Sequence, residues 1–484
     1  MSKRNRDGIR IGVWCAYHVT LEACEGIGVF AHNLALGLSE NERCQRVDMV
    51  CKPGDAHVIE PTAKRGNNKI RAVELPRDGT GGGFAAKLAS SCGRKTTRAE
   101  RKIEKLQGRS KKDYSERWEA KHGKKAWIPL AAIAAYALGV IRLGILRVFR
   151  ATLRFLQNRI LRNFPGAQEK EQREQQIIEQ CDVWLIPYVL LDRKFSRPTV
   201  VTVHDLVAYH FPEMLSEEAL ESVMQLASDV AEQSTLAACM SKFIERNDLQ
   251  GVLRLPPSKT RMVEPWVPKD FGKPVPREQL VDEFPVLNQR YFFYPAGFRP
   301  YKNHSILVEA LSELCQQGND DLHLVFTGIQ DIPQDLCDRI EQLQLSDRVT
   351  VLQRVSREVL STFYKHAIAT VVPSLYEQGS YPLMEALYFG CPIASSDIES
   401  LRERFDVLGE SMVYFDARST EDVAQSLRNL AQNETEIRAR QQAEKHKIFG
   451  RSAADAGADW LSVLEEAISA EAHRHSAIST QKAA

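Results

Sequence analysis

Several short clusters of residues in this sequence have the types and spacing for chemistry. Glu377 and Glu385 stand on either side of a short polar turn that contains Gly379, Ser380 and Tyr381. Two carboxylates so placed can accept hydrogen bonds from hydroxyl groups. Arg299 and Lys302 offer two cations to an anion such as a diphosphate, and would neutralise charge on such a group as a bond to it breaks. His204-Asp205 closes one apolar run, and Gly26-Ile27-Gly28 follows another. A glycine turn between strand and helix lets the backbone approach a phosphate. Taken singly these signals are weak. A Glu pair is ordinarily a solvated helix face, an Arg/Lys pair a solvated loop, a Gly-x-Gly a tight turn, and a histidine at a strand end a satisfied turn residue.

The elements that must position these residues read as alternating strands and helices. Strands are expected at 9–14, 47–51, 70–75, 181–187, 199–206 and 236–240, then at 291–296, 322–327, 349–352, 369–372 and 392–396. Helices are expected from 31, near 168–180, over 215–236, after Asn303, from Pro382 and over 453–470. Alternation of this kind builds parallel sheets covered by helices. Ligands of such sheets bind in the crevice beyond the carboxyl ends of the strands. Glu377 would lie at such a strand end. Pro382 suits the first turn of the next helix, where its missing N–H costs nothing, and Glu385 would lie about one turn in. Free N–H groups at that helix start favour an anion.

The block Pro-Ser-x-x-Glu, seven residues, Glu-Ala-Leu, then Gly390-Cys391-Pro392, resembles the E-x7-E signature of the retaining glycosyltransferases of family four, which have the GT-B fold. Other pieces fall in the family's order: Gly26-Ile27-Gly28, Thr202-Val203-His204-Asp205-Leu206, and Pro300-Tyr301-Lys302-Asn303-His304. The resemblance covers about residues 8–55 and 180–450. It implies two Rossmann-like domains facing across a cleft, and transfer of a sugar from a nucleotide donor with retention of configuration, without metal or other cofactor. By that resemblance Glu385 holds ribose hydroxyls, Glu377 holds hydroxyls of the transferred sugar, and Arg299 with Lys302 stabilises the leaving diphosphate. His204 contacts the donor sugar, while Gly28 and the backbone of Gly379, Ser380 and Tyr381 lie against phosphate or sugar. The stretch Arg354-Val355-Ser356 stands where the family tends to hold the base. The chain departs from the pattern at Val29 and Phe30, where Arg and Tyr are common. It departs again at Gln378-Gly379-Ser380-Tyr381-Pro382, where Gly-Phe-Gly-Leu-Pro is usual; this leaves the donor sugar open.

The chain's 484 residues are enough for two or three domains. We expect a first Rossmann-like domain over 1–270, a second over 271–450 that binds the nucleotide sugar, and a terminal helix and tail over 451–484 that crosses back to the first. Ten scattered cysteines without a C-x-x-C pair fit a reduced cytosolic protein without structural zinc. Charge is uneven. Residues 85–165 carry 20 Lys/Arg against 5 Asp/Glu, a net of +15 that leaves −14 on the rest of a chain totalling +1. This basic insertion lies outside the resemblance. Within it, 126–141 is uncharged, and 142–164 alternates an apolar stripe with Arg147, Arg150, Arg154, Arg159 and Arg162. That pattern suits a helix lying on an anionic membrane surface; a soluble helical hairpin or a spanning helix are the other readings. The expectation is therefore a peripheral enzyme of the inner membrane face. It would move a hexose, mannose or glucose type, to a glycan or lipid-linked acceptor, with no nucleic-acid partner. A non-catalytic membrane-bound protein of the same fold, or a GT-B epimerase or phosphorylase, are the alternatives.

Overall fold

A computed structural model describes residues 8–16, 26–76, 165–189, 195–267, 271–328 and 331–483. The chain divides into two compact units, Met1–Glu74 with Ile178–Ala484, and Leu75–Ile177. Most of the second unit, including the whole basic stretch 126–164 singled out above, lies outside the described residues. Its described helix, α3 (Pro165–Glu179), carries the Glu/Gln-rich run.

The larger unit contains two wholly parallel sheets. The first comprises β1 (Ile9–Trp14), β2 (Cys44–Cys51), β3 (Ile70–Glu74), β4 (Val183–Ile186), β5 (Thr199–Thr202), β6 (Leu236–Cys239) and β7 (Thr260–Met262), in the order β3-β2-β1-β4-β5-β6-β7. Helices α1 (Gly26–Glu40), α2 (Ala56–Arg65) and α4 (Glu217–Gln233) connect its strands. The second comprises β8 (Arg290–Pro295), β9 (Leu322–Thr327), β10 (Val349–Leu352), β11 (Ala369–Val372), β12 (Ile393–Ser396) and β13 (Val413–Phe415), in the order β10-β9-β8-β11-β12-β13. Its helices are α5 (His304–Gln316), α6 (Gln334–Gln342), α7 (Arg357–His366), α8 (Tyr381–Tyr388), α9 (Glu399–Phe405), α10 (Thr420–Gln432) and α11 (Glu434–Glu444).

Parallel strands are covered on both faces, so they read as unbroken apolar runs rather than alternating ones. Tyr291-Phe292-Phe293-Tyr294 of β8 is buried throughout, as is all of β11. Each such aromatic contributes about 1.5–3 kcal/mol by leaving water. The helix α12 (Ala453–Ala483) runs well beyond the expected end at 470 and packs on α1, β4 and β5 of the first sheet. Its approach depends on two glycines. A Cβ on Gly457 would sit 2.1 Å from the Gly37 carbonyl oxygen, and one on Gly37 would sit 2.4 Å from that of Ala453.

Two expectations change locally. The edge strand β7 falls between 240 and 291, where no strand is expected. The glycine loop expected at 26–28 is instead the first turn of α1.

Candidate active site

Both sheets have a switch point, where chain connections leave in opposite directions and open a crevice. In the second sheet it lies between β8 and β11, which are paired neighbours. The loop after β8 carries Arg299 and Lys302, and the loop after β11 carries Glu377. In the first sheet the loop after β5 brings His204 and Asp205. A cavity of about 970 Å³ is lined by His204, Asp205, Arg299, Lys302, Glu377, Gly379, Tyr381 and Glu385 among others. Residues separated by up to 362 positions, Ile27 to Phe389, thus share one space.

The β8 loop is held rigidly. Pro300 opens a short 3-10 turn over Pro300–Lys302, and Asn303 ends it in the left-handed region at φ 56°. Asn tolerates this conformation better than most residues. The Asn303 side chain donates to the Ala417 carbonyl at 2.8 Å, and the Leu375 N–H donates to the Tyr301 carbonyl at 2.8 Å. The second bond ties the β8 loop to the β11 loop.

At their junction the Lys302 ammonium pairs with Glu377 Oε1. Ser374, fully buried, donates to the same oxygen at 2.8 Å, and the Tyr294 hydroxyl lies 3.0 Å from Ser374 Oγ. Burial opposes charge on Lys302. The Glu377 carboxylate and the Tyr294 and Tyr301 hydroxyls outweigh it and raise its pKa. An ammonium has three N–H donors, so the contact with Glu377 leaves capacity for an anion.

Glu385 lies on the second turn of α8 and accepts from the Tyr364 hydroxyl at 2.7 Å. Burial raises its pKa against that bond and the nearby Arg357. His204 Nε2 lies 2.9 Å from the Pro187 carbonyl oxygen. Burial lowers the His204 pKa, so the ring is neutral near pH 7. A neutral ring whose Nε2–H donates to a carbonyl keeps Nδ1 as an acceptor, and the Gln378 side chain lies within hydrogen-bonding reach of the ring. Asp205 is pushed up to about 6, first by burial and then by the nearby charges of Glu377 and Asp248.

Gly379 faces open space, since a Cβ there would meet nothing within 4 Å. Two of the expected residues stand apart from the cavity lining. Gly28 is buried within α1, and Ile27 and Phe30 line the space in its place. Ser380 is 2% exposed at the start of α8, and its hydroxyl has no partner.

Sequence reasoning missed Asp248, which is fully buried. Its carboxylate accepts from the Leu206 N–H at 2.7 Å, lies 2.8 Å from His210 Nε2, and accepts from the Tyr376 hydroxyl. Nothing local distinguishes it from a solvated helix Asp. Tyr364 was missed for the same reason, as its partner is 21 residues away.

Residues 277–448 match the family model described as glycosyl transferases group 1. Those residues form a glycosyl transferases group 1 domain. They contain β8 to β13 and every second-sheet residue of the cavity named above. The O-antigen chain mannosyltransferase B of Escherichia coli is 23% identical over 241 residues, which are 49% of this chain and 62% of that protein. The alpha-D-kanosaminyltransferase of Streptomyces kanamyceticus is 23% identical over 45% of this chain and 57% of its own length. The chain thus spans about three fifths of these curated relatives. Among solved structures, the sucrose-phosphate synthase of Thermosynechococcus elongatus superposes with a TM-score of 0.58 at 16% identity, covering 96% of this chain and all of that one. WaaG, a glycosyltransferase involved in lipopolysaccharide biosynthesis, superposes with a TM-score of 0.55 at 12% identity, covering 94% and 99%. Around the glycosyl transferases group 1 domain, then, the fold is GT-B.

Proposed function

We propose that the chain transfers a hexose from a nucleoside diphosphate sugar to a hydroxyl acceptor, with retention of configuration and without a metal ion. The observation that carries this reading is the meeting of Lys302 and Glu377 at the β8/β11 switch point, with Glu385 one turn further along α8. Lys302 and Arg299 take the diphosphate, Glu377 the hydroxyls of the sugar, and Glu385 the ribose. His204 accepts from the sugar through Nδ1. In transfer, the bond from the anomeric carbon to the diphosphate breaks, and a bond from the acceptor oxygen forms. The acceptor proton leaves with the diphosphate. Lys302 and Arg299 are aimed at the charge that develops on the departing group, where preorganised cations act most strongly.

The activities named for the relatives support this reading: O-antigen mannosyl transfer for one, and kanosaminyl transfer for another. One similar structure, Anabaena HepE, was determined with UDP and glucose. A mannose- or glucose-type donor and a glycan or lipid-linked acceptor follow as the proposal for this chain. The basic stretch 126–164 supports a place at the cytoplasmic membrane face. Arg147, Arg150 and Arg154 changed together to Glu would then release the protein from anionic vesicles, and unchanged binding would remove the membrane from the account. Among the described residues no helix is long and apolar enough to cross a membrane. The test of the activity is incubation with nucleoside diphosphate mannose or glucose and an acceptor, with and without chelator. An α-linked product formed equally in both supports the proposal. An inverted product, or loss of turnover in chelator, contradicts it.

A further inference from the structure

A second cavity, of about 370 Å³, lies beside the first and shares Phe30, Met240, Gln378, Gly379 and Tyr381 with it. Its volume is within the range of small-molecule sites, about 300–1,000 Å³. Much of its wall is apolar: Met240, Met262, Trp266, Met384, Val407 and Trp460.

One polar group set into that wall is unsatisfied. Ser400 is 1% exposed, and its hydroxyl has no hydrogen-bond partner. One turn beyond Ser400 on α9 stands Arg404. Its guanidinium lies 3.4 Å from the Pro265 carbonyl oxygen and 3.9 Å from Met384 Sδ. None of the ion pairs among the described residues includes it. The carboxylates nearby are engaged elsewhere. Glu403 accepts from the Ser241 hydroxyl and from the Lys242 and Phe243 N–H groups, while Glu264 pairs with Arg451. Burial accordingly lowers the pKa of Arg404. The guanidinium thus feels the charges of Glu264 and Glu403 but bonds neither, and faces a thioether and one neutral oxygen instead. Positions 400 and 404 share one helix face, so Ser400 Oγ and the guanidinium can grip one anion together.

We propose that this cavity binds a second ligand beside the nucleotide sugar, an amphipathic anion with its phosphate or carboxylate on Arg404 and Ser400 and its apolar part against Met262, Trp266 and Trp460. The inference does not depend on sugar transfer, since it uses neither Lys302 nor Glu385. Its ligand would touch both sheets' elements, α1 and α12 on one side and α8 and α9 on the other. The shared residues Gln378 and Tyr381 would couple it to the donor cavity.

Trp266 and Trp460 supply the readout. Geranyl phosphate, a ten-carbon isoprenyl monophosphate, is titrated into the full chain with and without saturating UDP while tryptophan emission is followed. Geraniol and inorganic phosphate are the uncharged and the headless controls. The expected result is saturable quenching by geranyl phosphate in both cases, at least tenfold weaker for either control. Arg404→Gln and Val407→Glu should each weaken it at least tenfold, with unchanged circular dichroism. Val407 lines the cavity and is 43% exposed, so the second variant keeps the test alive if the first does not fold. The inference is overturned by any of four results: no saturable quenching in wild type, equal binding of geraniol, unchanged affinity in Val407→Glu, or displacement of the probe by UDP. Failure of UDP itself to bind would count against the donor-cavity proposal and leave the amphiphile result standing.

Discussion

The Tyr376 hydroxyl donates to the Asp248 carboxylate, linking residues 128 positions apart, one in the helical segment after β6 and the other in the loop after β11. Asp248 also receives the Leu206 N–H, next to His204-Asp205, while Tyr376 directly precedes Glu377. His210 stacks on the Tyr376 ring with centroids 4.5 Å apart. One buried carboxylate therefore fixes the register between the two loops that meet at the cavity. Tyr376→Phe should cost about 1–2 kcal/mol of stability, since it removes one donor to a buried charge. Asp248→Ala should cost about 3–5 kcal/mol, because it strips the acceptor from three groups at once. Urea denaturation measures both. Donor affinity should fall several-fold in Tyr376→Phe as the Glu377 loop loosens.

Lys302→Ala should lower the rate of transfer by about 10²–10³, the scale seen when one charge-stabilising donor is removed. Initial rates at saturating donor test this. Glu377 loses its ion-pair partner in that variant, so Lys302→Ala with Glu377→Ala should cost less than the two separate losses multiplied.

Glu385→Ala should weaken nucleoside diphosphate binding by about tenfold, equivalent to about 1.4 kcal/mol. Calorimetric titration measures it. Because Glu385 is proposed to hold the ribose rather than the reacting carbon, the rate at saturating donor should change far less than the affinity. The variant also leaves the Tyr364 hydroxyl without its acceptor, so adding Tyr364→Phe should restore part of any lost stability.

Asp205 gives a pH signature. Its folded-state pKa of about 6 lies above the ordinary value for an aspartate, about 3.9. The folded protein keeps this proton where the unfolded chain has released it. The associated stability is present below about pH 4 and is lost as pH rises through about 6. Asp205→Asn removes the titration and should be more stable than wild type at pH 7.5, by about 1–3 kcal/mol. The gap should close near pH 4. Thermal melts of both proteins across that range decide it.

Much of the fold was legible because parallel strands are buried on both faces. The runs at 9–14, 322–327, 349–352 and 369–372 fall where the strands do. What the sequence hid has identifiable causes. Pro61 lies inside α2 and breaks the helical pattern by which that segment would be recognised. Strand β7 is three residues long and follows two prolines. Gly26 and Gly28 are poor helix formers, which is why they read as a loop although α1 begins there. Of the site, the residues on the two switch-point loops could be found from local pattern and family resemblance. The partners that hold them could not. Asp248, Tyr376 and Tyr364 act through contacts that exist only after the two sheets are assembled, and so do Ser400 and Arg404 around the second cavity.

The central claim is that a nucleoside diphosphate is held between Lys302 and Glu385 at the β8/β11 switch point. The most direct measurement is a thermal-shift series with nucleoside diphosphates on wild type, Lys302→Ala, Glu385→Ala and Val407→Glu. A ligand bound to the native state raises Tm by mass action. The account predicts a rise of several degrees with at least one nucleoside diphosphate in wild type and Val407→Glu, and little or none in the other two. No rise with any of them, or an equal rise in all four proteins, would contradict it.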